Sequence, residues 1–175
     1  MPIIVRQERE EEHKKTEEVV QQAFLHEEFS DKREHELVSR IRKCDAFIPE
    51  LSLVAVDQEI IGHILLSKIQ IVDGDKCIDS LALAPVSVAP GYQKKGIGSL
   101  LISNVLRKAK ELGYHSVIVL GHKEYYTKFG FKPTHLWDIR APFDVPGEVF
   151  MAMELTEHAL QNVQGVVQYS EAFSG

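Results

Sequence analysis

Eight residues near the middle of the chain, Gly91-Tyr92-Gln93-Lys94-Lys95-Gly96-Ile97-Gly98, constrain its fold more than any other stretch. They form a glycine- and lysine-rich turn after an apolar run ending Val86-Ser87-Val88, and they open into a segment with helical apolar spacing. A strand, a tight turn and a helix N-terminus in that order make an anion cradle. The first amides of a helix lack intrahelical partners, and the aligned peptide dipoles add partial positive charge there. Glycine at 96 and 98 lets the backbone approach a bulky ligand, because no Cβ stands between them. The pattern predicts a phosphate-bearing ligand.

Charge is distributed accordingly. The 175-residue chain has a net charge of −6, which argues against a general nucleic-acid binder. Residues 91–132 hold eight basic and two acidic side chains, so a +6 segment sits in a remainder of 12 basic and 24 acidic groups. That contrast points to a local anionic ligand or to a solvated basic face. Hydrophobic residues at 44% and charged residues at 26% suit one packed domain. No apolar run reaches the roughly 18 residues of a membrane span, and the first residues lack the shape of a secretory signal. Cys44 and Cys77 lack CxxC spacing and suit reduced thiols, so a cytoplasmic protein without membrane or nucleic-acid partners is expected. The eight histidines are dispersed and none completes His-Glu-x-x-His, so no metal is expected either.

Periodicity gives the order of elements. Val19, Val20, Ala23 and Phe24 predict a helix over 13–26; a second, starting near Ser30 or Asp31, buries Leu37, Val38 and Ile41. Residues 51–56 and 60–71 read as strands around a tight turn, and Asp73-Gly74-Asp75 as a hairpin into a long strand over 77–88. Pro85 removes a ladder donor from that strand, so the sheet must be irregular or splayed there. A helix over 97–112 buries Ile97, Leu100, Leu101, Val105 and Ala109 and stops at Gly113. Residues 117–120 form a central apolar strand, 124–129 a short helix, and 131–136 and 149–155 two further strands. The fold class is α/β (α+β), a three-layer domain over 1–155. Residues 156–175 form an extension whose segment 165–169 reads as a strand packed on its own chain or on a partner, with a homodimer among the options.

Two nucleotide motifs can be set aside. Gly91 and Gly96 have Walker A spacing, but Ile97 and Gly98 stand where Lys and Ser/Thr are required. A dinucleotide fingerprint fails at Leu101, where a third glycine would fall. What fits is Gln93-x-x-Gly96-x-Gly98, which resembles the acetyl-CoA-binding signature Arg/Gln-x-x-Gly-x-Gly/Ala of the GNAT superfamily of N-acetyltransferases. Tyr125-Tyr126-Thr127-Lys128-Phe129-Gly130-Phe131 looks like the closing motif of the same family. The resemblance spans residues 3 to about 155, and the stretch 48–55 is similar to a bacterial subgroup of small predicted acetyltransferases.

The resemblance implies a mixed, mostly antiparallel, splayed sheet flanked by helices, with acetyl-CoA as co-substrate and no metal. By it, free amides around Val86, Ser87 and Val88 bind the pantetheine arm and polarise the thioester carbonyl. Amides of Gln93, Lys94, Lys95, Gly96, Ile97, Gly98 and Ser99 hold the pyrophosphate, with the two lysines as point charges. Tyr125 and Phe129 are core or wall of the cofactor slot, and Tyr126 is the catalytic acid, protonating the departing thiolate. The acceptor is a primary amine of a small molecule or peptide. Asp79, Glu28, His122 or a water could serve as general base. Gly121-His122-Lys123 departs from the longer, Asn-bearing segment of many relatives. Two alternatives stay open: a non-catalytic acyl-CoA-binding or sensing module, and an acyltransferase using a longer acyl-CoA.

Overall fold

The computed structural model describes residues 2–27 and 30–174. Strand β1 (Ile4–Gln7) leads into helices α1 (His13–Phe24) and α2 (Glu34–Arg42). A meander of β2 (Ser52–Asp57), β3 (Glu59–Asp73) and β4 (Lys76–Val88) follows. Next come helix α3 (Ile97–Glu111), β5 (Ser116–Leu120) and helix α4 (Lys123–Thr127). The chain closes with β6 (Lys132–Pro133), β7 (Ile139–Arg140), β8 (Phe150–Glu154) and β9 (Gly165–Gln168). All nine strands share one sheet, ordered β1-β2-β3-β4-β5-β8-β6, with β9 joining β3 to β7. Only β4–β5 and β7–β9 pair in parallel. This is the mostly antiparallel α/β sheet flanked by helices that the resemblance implies.

Alternation along β3 assigns the layers, because successive side chains leave opposite faces of a strand. Ile64 and Leu66 meet Leu101, Val105 and Ala109 of α3, whereas Leu65 meets Val20, Val38 and Ile41 of α1 and α2. One face therefore carries α3 and the other carries α1 and α2. Gly113 stops α3 at φ +93, and Tyr114 N–H donates back to Ala109 O at 3.1 Å, closing the last turn.

Three details differ from expectation. Leu100 is 39% exposed; Ile102 and Leu106 take its place in the buried stripe of α3. Helix α2 starts at Glu34, because the residues before it are occupied as caps: Arg33 N–H donates to Asp31 Oδ1 at 2.9 Å and Ser30 Oγ to Glu34 Oε2 at 2.5 Å. Finally, the strand expected over 131–136 shrinks to β6. Pro133 has no N–H to extend the ladder, and Thr134–Trp137 wind into a 3-10 turn ended by Asp138 at φ +58.

Strand β4 is irregular where Pro85 falls. Ile64 pairs with Val86 but Leu66 with Leu83, so Leu65 alone faces Ala84 and Pro85. On its other edge β4 pairs with β5 only at Leu81–Val117 and Ala82–Ile118. Beyond those pairs the two strands diverge. Strand β9 pairs with residues 70–72 of β3 in the same chain.

Candidate active site

The gap between β4 and β5 has unused backbone donors. Ala89 N–H donates to Ile61 O at 2.7 Å, and hydrogen-bonded and non-hydrogen-bonded pairs alternate along an antiparallel ladder. In this register Ser87 turns its backbone toward β3, while Val86 and Val88 turn theirs toward the gap. Val88 O accepts a hydrogen bond from Gln93 Nε2 at 3.0 Å, as an outward carbonyl can.

The glycine-lysine turn folds against this edge. A 3-10 turn at Pro90–Tyr92 leads to Lys94 at φ +64 and Gly96 at φ +83, and Gly96 is the N-cap of α3. The left-handed conformation at 96 explains the glycine, and no acidic side chain occupies the first turn of the helix. The turn borders a cavity of about 470 Å³, lined by the Val88 end of β4, residues 92–94 and 96–99, Tyr125 of α4 and Lys128 just past its end. A Cβ on Gly98 would stand 3.1 Å from the Tyr125 hydroxyl. Lys128 Nζ sits 4.3 Å above the Tyr125 ring, close enough for cation–π attraction that holds the ammonium at the cavity mouth.

Tyr126, one residue on, faces the interior. It is 8% exposed and packs edge-to-face on Phe131, with ring centroids 5.7 Å apart. Gly121 makes room for it, since a Cβ there would fall 2.3 Å from the Tyr126 ring. Burial, aided by neighbouring Tyr125, pushes its hydroxyl up to about 12. Protonated at neutral pH, that hydroxyl can act as a donor.

A second cavity, about 810 Å³, opens where β4 and β5 part. Ala82, Ala84, Ile118 and Leu120 form its strand side; Phe143, Tyr169 and Phe173 wall it opposite. Trp137 is absent from that wall and packs against the cluster of Ile69, Phe150 and Val167 instead.

The other expected site residues fall in different places. Ile97 buries its side chain and offers its amide. Ser99 Oγ lies 3.4 Å from Tyr125 Oη. Lys95 leans over Tyr92, 5.6 Å from the ring centre, and does not line the smaller cavity. Ser87 is buried with Oγ unpaired, on the face it shares with His63 across the ladder. Phe129 stacks edge-on against Tyr125 at 5.5 Å and reaches the cavity only through it. Among the candidate bases, Asp79 accepts from Gln70 Nε2 at 3.3 Å, before the strands part, and His122 is an exposed N-cap residue of α4. Glu28 lies outside the described residues. Tyr125 lines the cavity, one of the two places expected for it, whereas Tyr92 and Lys128, the residue just past α4, are cavity residues to which sequence reasoning gave no role.

A buried polar group lies beneath α1 and α2, also unforeseen. Ser52 Oγ donates to Glu8 Oε1 at 2.8 Å and accepts from His63 Nε2 at 2.9 Å. Arg42 pairs with Glu8 and Glu17. His63 is fully buried; its Nε2–H is committed to Ser52, and Nδ1 has no partner. Burial holds the imidazole down at about 4, against the pull of Glu8. The group resembles a nucleophilic triad in composition only, since Ser52 and His63 are sealed from any cavity of the described chain.

Residues 8–131 match the model of the acetyltransferase (GNAT) family. The chain belongs to that family and is an N-acetyltransferase. It is 31% identical over 154 residues to the uncharacterized N-acetyltransferase YhbS of Escherichia coli K12, across 87% of this chain and 90% of that one. A second E. coli K12 relative, the uncharacterized N-acetyltransferase YjhQ, is 32% identical over 122 residues, 69% of this chain and 67% of the relative. The crystal structure of E. coli YhbS in complex with CoA superposes with a TM-score of 0.84 at 26% identity, covering 99% of this chain and 92% of that one. A GNAT acetyltransferase from Brucella melitensis in complex with acetyl-CoA gives 0.81 at 29% identity, covering 98% of each chain. No helix of the described residues is long and apolar enough to cross a membrane.

Proposed function

We propose that this enzyme moves an acetyl group from acetyl-CoA to the primary amine of a small molecule or peptide, by direct attack with both substrates bound. The observation that carries the reading is the parting of β4 from β5 between two cavities: a glycine-lined anion cradle on one side and an apolar chamber on the other. Amides 93–99 and Lys94 suit the pyrophosphate, and Lys128 adds a second cationic side chain to the lining. The free N–H groups of Val86 and Val88 suit the pantetheine arm and the thioester carbonyl.

In this reading the neutral amine attacks the thioester carbonyl, whose oxygen is stabilised by a β4 amide. The C–S bond breaks as the C–N bond forms, Tyr126 gives its proton to the leaving sulfur, and the surplus amine proton passes to water. Residues 1–155 form the catalytic domain, and the extension 156–175 supplies a wall of the acceptor chamber. Free thiols at Cys44 and Cys77 fit a cytoplasmic setting.

The test is calorimetric titration with acetyl-CoA, followed by thiol release over a panel of amines. Saturable binding and amine-dependent release are expected. Failure to bind acetyl-CoA sinks the proposal.

A further inference from the structure

The larger cavity has a consistent chemistry. Phe143 and Tyr169 stack with centroids 6.1 Å apart and planes 17° from parallel, and Phe173 tilts onto Tyr169 at 4.9 Å. Phe143 is 44% exposed and Leu120 47%, so large apolar surfaces face open space beside the gap. Polar groups enter the described lining only as Gln168, Ser174 and the Tyr169 hydroxyl, and no described lining side chain carries a formal charge. The aromatic wall is built by residues from two distant stretches, around 143 and 169–173, held in place as β9 pairs with β3.

We propose that the acceptor is a monoamine whose amino group is carried on an aromatic or branched apolar body, seated against Phe143, Tyr169 and Phe173. This rests on the acetyl transfer proposed above and adds the class of acceptor. An apolar body gains by covering the exposed rings, and an aromatic one can stack on the pair already formed. A second ammonium, or a carboxylate, would lose its water without meeting an opposite charge from the described lining. The same surroundings disfavour the charged form of the reacting amine, so desolvation raises its neutral, nucleophilic fraction. That matches the positions of Asp79 and His122, neither of which lines the chamber.

The test uses the full chain with saturating acetyl-CoA and follows thiol release with 2-phenylethylamine, 1,4-diaminobutane, spermidine and phenylalanine. We expect kcat/KM for 2-phenylethylamine to exceed that for each of the others by about 100-fold. Phe143→Asp, at a position 44% exposed, should cut 2-phenylethylamine kcat/KM about 10-fold and raise that of 1,4-diaminobutane. Its melting temperature and acetyl-CoA affinity serve as controls for folding and cofactor binding. Preference for the diamine, spermidine or phenylalanine overturns the inference and leaves acetyl transfer standing. So does a faster reaction with octanoyl-CoA than with acetyl-CoA on the same amine, which would give the chamber to an acyl chain. Acetyl-CoA binding without turnover of 2-phenylethylamine also overturns it. Absence of acetyl-CoA binding, read separately by calorimetry, removes the underlying function as well.

Discussion

The hydroxyl of Tyr125 stands 3.1 Å from the point that a Cβ on Gly98 would occupy, so α4 closes over the first turn of α3 through a contact shaped for glycine. Alanine at 98 requires a shift of a few tenths of an ångström at the free end of a tyrosine, which is a small cost. Valine adds two methyl groups in the same narrow space. Gly98→Ala should weaken acetyl-CoA binding no more than about threefold, and Gly98→Val by about tenfold or more. Adding Tyr125→Phe, which removes the opposing oxygen, should restore part of the loss in Gly98→Val. Calorimetric titration of the three variants checks this; equal affinities would mean that the ligand does not pass between the two residues.

Tyr126 differs from its neighbour in a way that kinetics can read. Its hydroxyl stays protonated to about pH 12, the form a general acid requires. Tyr126→Phe should lower kcat by about 100-fold while leaving acetyl-CoA affinity within a factor of about two. The wild-type rate should show no loss from tyrosine ionisation between pH 7 and 10. An unchanged kcat would assign the residue to packing on Phe131 and against Gly121.

These two tyrosines also mark what a sequence can and cannot carry. The cradle and its helix are contiguous, so Gly96, Gly98 and the existence of α3 could be read from local spacing alone. Which of two adjacent tyrosines faces the cradle depends on how α4 lies on α3, and spacing within five helical residues does not specify that. Leu100 misled for a related reason: helical spacing allows two overlapping stripes, and the packing of α3 on the sheet selects the one with Ile102 and Leu106. Glu8, Arg42, Ser52 and His63 come from four elements or their junctions and meet only once β2 and β3 pair. The wall of Phe143, Tyr169 and Phe173 depends likewise on β9 finding β3.

The buried histidine makes stability depend on pH. In the unfolded chain an imidazole ionises near 6.5, whereas in the fold burial holds His63 at about 4. Between those values the unfolded state binds a proton that the folded state refuses, so folding stability is complete above pH 6.5 and is lost as pH falls toward 4. The loss from this group is about 3 kcal/mol. Glu8 extends it at lower pH. Burial alone would raise its carboxyl, but the charge that His63 gains once it protonates and the paired Arg42 guanidinium outweigh burial and hold it below its ordinary value. Its contribution is present above the unfolded value and fades as pH falls through the folded one. His63→Gln keeps a donor toward Ser52 without titrating, so urea midpoints between pH 7 and 4.5 should vary much less than in the wild type. An equal slope in both proteins would place the titrating group elsewhere.

Gly165 couples the C-terminal strand to the larger, aromatic-walled cavity. It begins β9 at φ +131, a conformation that side chains rarely adopt, and a Cβ there would fall 2.2 Å from Val72 O. That neighbour is backbone in the last pair of the β3–β9 ladder and cannot swing aside. Gly165→Ala must therefore strain the turn or push β9 from β3, at a cost of about 2–4 kcal/mol. Either response moves the residues that follow, Tyr169 and Phe173, away from Phe143, while the cradle at Gly96 and Gly98 lies at the other end of the gap. The variant should melt several degrees lower, and its KM for the amine should rise more than its acetyl-CoA dissociation constant. If thermal melts show the loss of stability but both constants keep their wild-type values, β9 holds the fold without shaping the chamber.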